Sequence, residues 1–453
     1  RLLKTTWERQ GITLLAIDSA AEDDLDDVRR MDELYNFEFP ILLDDSQLIA
    51  ESLGLSKAGQ VVVLEPNRHQ VLYRGGLDID PLRAQPQLGI EGRPGSIVLA
   101  DTLSKIVAGD LDSFDEVVTT AAIGCDLAFP ARDFHSKKAP DYATDVAPIL
   151  QARCTNCHIK GGVAPFAMDS YMMVLGWSSM MKEVILTKRM PPAQVDPSIN
   201  HFTNAGYIKS DEQQTLIHWI NAGAPRGESK TDPLITLMES SDSDWRLGEP
   251  DYIVEVPAFA VPATGVLDYE NVTINLPFQK DLWVKSVQHL PGDRRALHHL
   301  LSFIVPADYD QEIIEGKNDS YREFLEGYAP GKDTVATYPE NAGVLVPKGS
   351  AVQMSLHYTT FGKETLDRTL LGLYFAEEEP EFHYSTYSLS HGGRNLVIPP
   401  RVSEHRMSAS HVFDEEIMLH GLRPHMHYRG KSMRFSVIYP DGTRDDIINV
   451  PDY

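Results

Sequence analysis

Five consecutive residues, Cys154-Thr155-Asn156-Cys157-His158, carry the sharpest chemistry in the sequence. Two thiols at this spacing reach both vinyl groups of one haem as thioethers, and the histidine that follows binds iron from the proximal side. The same string also suits a thioredoxin-like dithiol or half of a zinc site. A dithiol needs a strand before it and a helix after it, and a zinc site needs a second ligand pair. The sequence has instead a helical stretch from Val146 to Arg153 before the string and Gly161-Gly162 after it, which suits a small cytochrome. One covalently bound c-type haem is predicted, held by Cys154, Cys157 and His158. The third cysteine, Cys125, stands alone, so no disulfide framework is expected.

The second axial ligand is assigned to Met190. It lies 32 residues after His158, and Pro191-Pro192 follow it at the exit of a helix. A stiff Pro-Pro loop can hold a thioether against iron, and Met/His ligation raises the potential. His201 and His218 are the alternatives. Met168, Met172, Met173, Met180 and Met181 show that methionine also fills space in this stretch.

Three further histidine groups stand out: His298-His299, His357, and His425-Met426-His427. On a strand His425 and His427 share a face, a natural bidentate arrangement. His298 and His299 would point to opposite faces of a regular strand. Both reach one metal only through a distortion such as a bulge. His357 would be the distant third ligand. Three imidazoles suit copper or zinc, and a thioether tilts the choice to Cu(I).

These groups require elements to position them. Residues 1–125 alternate short apolar strands (Ile12 to Ile17, Pro40 to Leu43, Val61 to Leu64, Gln70 to Tyr73) with helices (Leu25 to Leu34, Gln47 to Leu55, Ile97 to Val107), the pattern of an α/β layer fold with a mixed sheet. Residues 126–230 read as a small all-α domain, with helices at Tyr171 to Thr187 and after a Ser210/Gln213 capping box. From 231 onward the runs are β-type, as at Trp283 to Val287, Leu301 to Val305 and Leu370 to Phe375. They predict an antiparallel β-sandwich or jelly roll over 231–395, with a second, incomplete one from 396 to 453.

The short cytochrome segment resembles the single-haem cytochromes fused into large bacterial redox proteins, in which a Lys/Arg-Met-Pro-Pro segment supplies the distal methionine. Lys188-Arg189-Met190-Pro191-Pro192 matches it. The five histidines, in this order and with these neighbours, resemble the copper type II, ascorbate-dependent monooxygenases, typified by peptidylglycine α-hydroxylating monooxygenase. Gly327-Tyr-Ala-Pro-Gly331 and Leu345-Val-Pro-Lys-Gly349 resemble bacterial members. The resemblance implies two jelly-roll subdomains. It implies an electron-transfer copper on His298, His299 and His357, and an oxygen-activating copper on His425, His427 and a later methionine. Met433 lies too close to be that methionine, and Tyr453 comes only 26 residues after His427, so the third ligand is expected beyond it.

Residues 1–125 resemble the redoxin branch of the thioredoxin superfamily, through Trp7 to Gly11, Leu15 to Asp18, Phe39 to Leu42, Val61 to Pro66 and Tyr73 to Asp78. The family's reactive cysteine would precede Arg1, and Gly59 replaces its cis-proline, so a structural or docking role is expected. Arg1 in place of Met reads as a processed or partial chain.

Acidic residues outnumber basic ones by 66 to 41, a formal charge of −25. That balance excludes nucleic acid as a natural partner. No run of eighteen apolar residues occurs. The resemblances together imply a periplasmic or extracellular oxidoreductase. It would hydroxylate a C–H bond of a small-molecule or peptide substrate with O2, taking electrons from an external donor through its haem. It would use one or two coppers and is compatible with a multiprotein redox assembly. The alternatives are a non-catalytic electron-transfer or assembly subunit, and a dithiol or peroxide reductase with its reactive cysteine upstream of Arg1.

Overall fold

Short apolar runs interrupted by capped helices dictate the N-terminal architecture. Strand β1 (Ala16–Asp18) is followed by α1 (Leu25–Tyr35), β2 (Ile41–Leu43), α2 (Leu48–Ser52), β3 (Gln60–Glu65), β4 (Gln70–Gly76), α3 (Gly95–Val107), β5 (Val118–Thr119) and α4 (Pro130–Lys137). The computed structural model describes residues 7–37, 39–76, 95–162, 164–238, 245–309, 322–389, 397–427 and 429–453. Helix α1 starts where the Asp24 carboxylate accepts the amides of Asp26 and Asp27, while the Asp27 carboxylate accepts that of Asp24. This reciprocal cap satisfies amides that have no partner within the helix. The expected mixed pairing is present, but as two sheets among the described residues. β1 pairs with β2 in parallel, whereas β3–β4 is antiparallel and β4–β5 parallel. Tyr73, Leu99 and Leu103 form the small core between β4 and α3.

Helices continue with α5 (Ala147–Arg153), α6 (Tyr171–Leu186), α7 (Ser210–Asn221) and α8 (Pro233–Met238). The cap of α7 differs from the sequence expectation. Lys209 donates its amide to the Glu212 carboxylate, and the Gln213 side chain turns back to the carbonyl of Ile208. Two adjacent acceptors compete here, and the carboxylate suits the positive end of the helix better than the amide side chain.

The remaining strands are β6 (Tyr252–Glu255), β7 (Phe259–Val261), β8 (Glu270–Asn275), β9 (Leu282–Leu290), β10 (Leu297–Pro306), β11 (Glu323–Tyr328), β12 (Val335–Thr337), β13 (Ala342–Val346), β14 (Ser350–Tyr358), β15 (Thr365–Asp367), β16 (Leu370–Phe375) and β17 (Phe382–His383). One sheet runs β11-β10-β14-β8. The other runs β17-β13-β9-β16-β6, with β12 beside β9. Their facing side chains, among them Val284, Val287, Leu297, Leu300, Val344, Val352, Leu371 and Leu373, form one buried core. Truncating one such leucine to alanine costs about 2–5 kcal/mol. The β-rich architecture expected after residue 231 is therefore present. From 397 to 432 the described chain forms no strand, and β18 (Met433–Ile438) pairs with β19 (Arg444–Val450) as a single hairpin.

Contacts divide the chain into two compact units. One holds Arg1–Val146, Ser178–Gly227 and Arg434–Tyr453; the other holds Ala147–Trp177 and Glu228–Met433. In the first unit the final hairpin meets the loop after α6, where the Asp196 amide donates to the carbonyl of Asn449 at 2.8 Å. No helix among the described residues is long and apolar enough to cross a membrane.

Candidate metal centres

The turn before β10 is fixed by Asp293. Its carboxylate accepts from the Arg295 guanidinium (2.6 and 2.9 Å) and from the Thr365 hydroxyl (2.6 Å), and its amide donates to Asp367. The Arg295 hydrogen bonds, foremost, hold the Asp293 carboxyl below its usual range. The chain then enters the sheet with a register shift. Leu297 faces Tyr358, but the next pair is His299 with His357, leaving His298 as an extra residue on β10. Such a bulge lets two successive side chains turn to the same side. His298, His299 and His357 converge, one ligand atom from each lying within 4.8 Å of the others. The Nδ1 atoms of His298 and His299 are 2.9 Å apart. The Nδ1 of His357 is buried with no hydrogen-bond partner among the described residues. A buried imidazole nitrogen without a partner is costly unless something accepts its lone pair or proton. Burial and the neighbouring imidazoles push the His299 pKa down to about 4, so the ring is neutral, the form that binds metals.

Tyr269 carries no spacing signal that would mark it in the sequence. Its hydroxyl lies 3.1 Å from His299 Nε2, and its ring stacks on His357 at 4.7 Å. With Nε2 of His299 engaged by the phenol, Nδ1 is the nitrogen left facing His298.

His425 and His427 were expected on a strand; they lie on irregular chain. Pro424 cannot donate a ladder hydrogen bond, and glycines at 421 and 430 loosen both flanks. Burial nevertheless alternates, with Leu422, Pro424 and Met426 partly covered and both histidines exposed. The two rings lie 5.1 Å apart on one face. Their positive forms contribute to lowering the His299 pKa, after burial and the two nearer histidines. Among the described residues no third histidine, cysteine or carboxylate joins the pair; the triad is the one cluster of three such groups.

The Cys154–His158 string continues directly from α5. The amide of Cys154 donates to the carbonyl of Leu150, and that of His158 to the carbonyl of Cys154. The sulfurs of Cys154 and Cys157 are not joined by a disulfide. His158 Nδ1 is 3.0 Å from the carbonyl oxygen of Phe166, which orients the ring and leaves Nε2 for a metal. Phe166 packs on His158 and stacks on Trp177 at 4.4 Å. Burial pushes the Cys157 thiol up. Gly331 (φ +82°) comes so close that a Cβ there would stand 2.4 Å from Cys157 Sγ. This donor set suits a c-type haem.

Met190 follows the end of α6, its amide donating to the carbonyl of Val184, and its side chain is 42% exposed. It belongs to the first unit and the string to the second. His201 is exposed. His218 is engaged on both ring nitrogens, by Glu51 at 2.9 Å and His135 at 2.8 Å, which leaves none for iron. Cys125 is an exposed single thiol.

No known family profile matches the chain, and no curated protein matches it. Among solved structures, an uncharacterized conserved protein from Geobacillus kaustophilus is 19% identical, with a TM-score of 0.23 over 28% of this chain and 65% of its own. A hypothetical protein from Sinorhizobium meliloti is 22% identical, with a TM-score of 0.22 over 28% of this chain and 66% of its own. The chain thus spans just under two thirds of each of these proteins' own length. Likenesses this remote carry no argument about fold or activity.

Proposed function

We propose that the protein is an exported copper-dependent oxidoreductase fed with electrons by its own haem. The observation that carries this reading is the His298–His299–His357 cluster, with a bulge turning two imidazoles together and a buried, partnerless nitrogen on the third. Three imidazoles form a donor set for copper. Cys154, Cys157 and His158 would hold a c-type haem, with Met190 as the distal ligand, and that haem would supply single electrons. His425 and His427 would hold a second, oxygen-activating copper. In this reading residues 1–125 form a redoxin-like domain in a docking role, 126–230 a cytochrome-like one, and 231–453 the jelly-roll monooxygenase part. Its substrate would be a small molecule or peptide bearing the C–H bond to be hydroxylated, and export would place it in the periplasm or outside the cell.

The residues of this chain have defined tasks here. Tyr269 restrains the His299 and His357 rings. Phe166 orients His158. Acidic composition favours a cationic electron donor.

Metal analysis of the full-length protein, with a pyridine-haem spectrum, tests the reading. One haem, two coppers and substrate-dependent oxygen uptake support it. A protein without haem, or without copper at the triad, overturns it. One haem with a single copper supports the second reading, an electron carrier without oxygen chemistry, which is favoured by the exposure of His425 and His427 on irregular chain.

A further inference from the structure

Glu326 lies on β11, directly opposite Ser302 of β10, three positions beyond His299. Its backbone carbonyl accepts the Ser302 hydroxyl at 2.6 Å, which ties it to the strand carrying the histidine pair of the triad. Its carboxylate is largely buried and takes three donors: the Gly327 amide at 2.8 Å, the Lys332 ammonium, and the Arg423 guanidinium at 2.7 Å. Burial alone would raise this carboxyl, but Lys332 and Arg423 hold it below its usual range. Arg423 stands two residues before His425, and its guanidinium also covers the Phe324 ring at 4.6 Å. Among the described residues, the segment from 424 to 432 forms no strand, and Arg423 ties its start to the sheet. Lys332 in turn donates to the carbonyl of Gly327 and directly follows Gly331, the residue packed on Cys157.

We propose that Glu326 is a positioning residue for the second metal site: through Arg423 it sets the His425–His427 pair against the strand that carries the triad. The same carboxylate, through Lys332, fixes the loop that meets the haem string. A buried carboxylate shared by two cations is costly unless all three groups stay in place. It therefore holds an otherwise irregular segment to one geometry. The inference rests on the proposed reading of His425 and His427 as metal ligands.

Copper(II) titration of the full chain, followed by electron paramagnetic resonance and by competition with a chromophoric chelator, tests it. His357→Ala and His427→Ala serve as references that remove each site in turn. Arg423→Ala, at a half-exposed position, and the isosteric Glu326→Gln should each weaken copper at the His425–His427 site roughly tenfold, at the low end of the ~10–100-fold effects of residues that orient ligands. The resonance of that site should broaden while the triad signal stays unchanged. The double variant should lose no more than either single one, since the two residues act as a unit. Arg423→Lys should restore part of the affinity. Wild-type affinity and line shape in both single variants, or fully additive losses, overturn the positioning role while leaving two coppers in the wild type. A wild-type protein that takes no second copper overturns the inference together with the reading of that site, and the two failures are told apart by this count.

Discussion

The triad and the His425–His427 pair bring the same side chain to metal by opposite routes. His298 and His299 are adjacent in sequence, and a regular strand would separate them. The register shift between Leu297 and His299 turns both toward His357 on the neighbouring strand. His425 and His427 already have the favourable spacing, yet they sit exposed on chain without a ladder. Spacing alone aims two ligands at one side. A ligand set of three needs a second strand, a fixed register and burial.

This contrast can be attacked first through the frame under the triad. His289, on β9 of the facing sheet, is fully buried, and burial pushes its pKa from 6.5 to about 4. The unfolded state therefore takes up a proton between those values that the folded state refuses. Stability contributed by the neutral ring is present above pH 6.5 and lost as pH falls toward 4, by roughly 3 kcal/mol in all. Chemical denaturation of the metal-free protein across this range should show the loss, and His289→Leu should shrink it to the part left by His299, whose pKa is lowered in the same range. An unchanged acid limb in that variant removes His289 as the cause.

Next in size is the unequal cost of losing one ligand. His357→Ala should reduce copper affinity at the triad by more than ~100-fold, beyond what residues that merely orient ligands cost. His427→Ala should leave triad binding within a few fold of wild type. Isothermal titration with Cu(II) reads both. If the two substitutions prove equally damaging to the triad, the sites are not separate.

The third prediction concerns Gly331. Its φ of +82° and its approach to Cys157 Sγ leave no room for a methyl group. Gly331→Ala should cost about 1–2 kcal/mol for the backbone alone, together with a lower yield of covalent haem on a pyridine-haem assay. Full haem incorporation with unchanged thermal stability would show that the loop moves freely from the sulfur. The smallest effect is expected from Tyr269→Phe. It removes the hydroxyl 3.1 Å from His299 Nε2 but keeps the stack on His357. Triad affinity should fall by about 1 kcal/mol, the worth of an ordinary hydrogen bond.

Much of this was legible in the chain. The α/β alternation, the positions of the long β runs and the need for a distortion at His298-His299 all follow from periodicity, since two neighbouring imidazoles cannot share a face otherwise. The ligand candidates themselves were visible because cysteine and histidine are rare and their spacings restrictive. The fixed partners were not. Tyr269 reaches His299 from just before β8, and Glu326 reaches Arg423 across nearly a hundred residues. Tyrosine, glutamate and arginine are common residues, and only strand pairing reveals which of them meet. The same limit explains His218, an alternative axial ligand on sequence grounds, because spacing could not show Glu51 and His135 closing on both its nitrogens. The strand expected at His425 failed for a local reason, the missing amide of Pro424.

The extra residue at position 298 also makes the triad sensitive to counting. Substitutions around it alter the size and polarity of its neighbours, but removing the extra residue would restore a regular ladder, with His299 still opposite His357, and take one imidazole out of the triad. Insertions and deletions, usually harmless in loops, would here act as an on–off control. Moving the single bulge to another antiparallel pair would be the shortest path to building such a site anew.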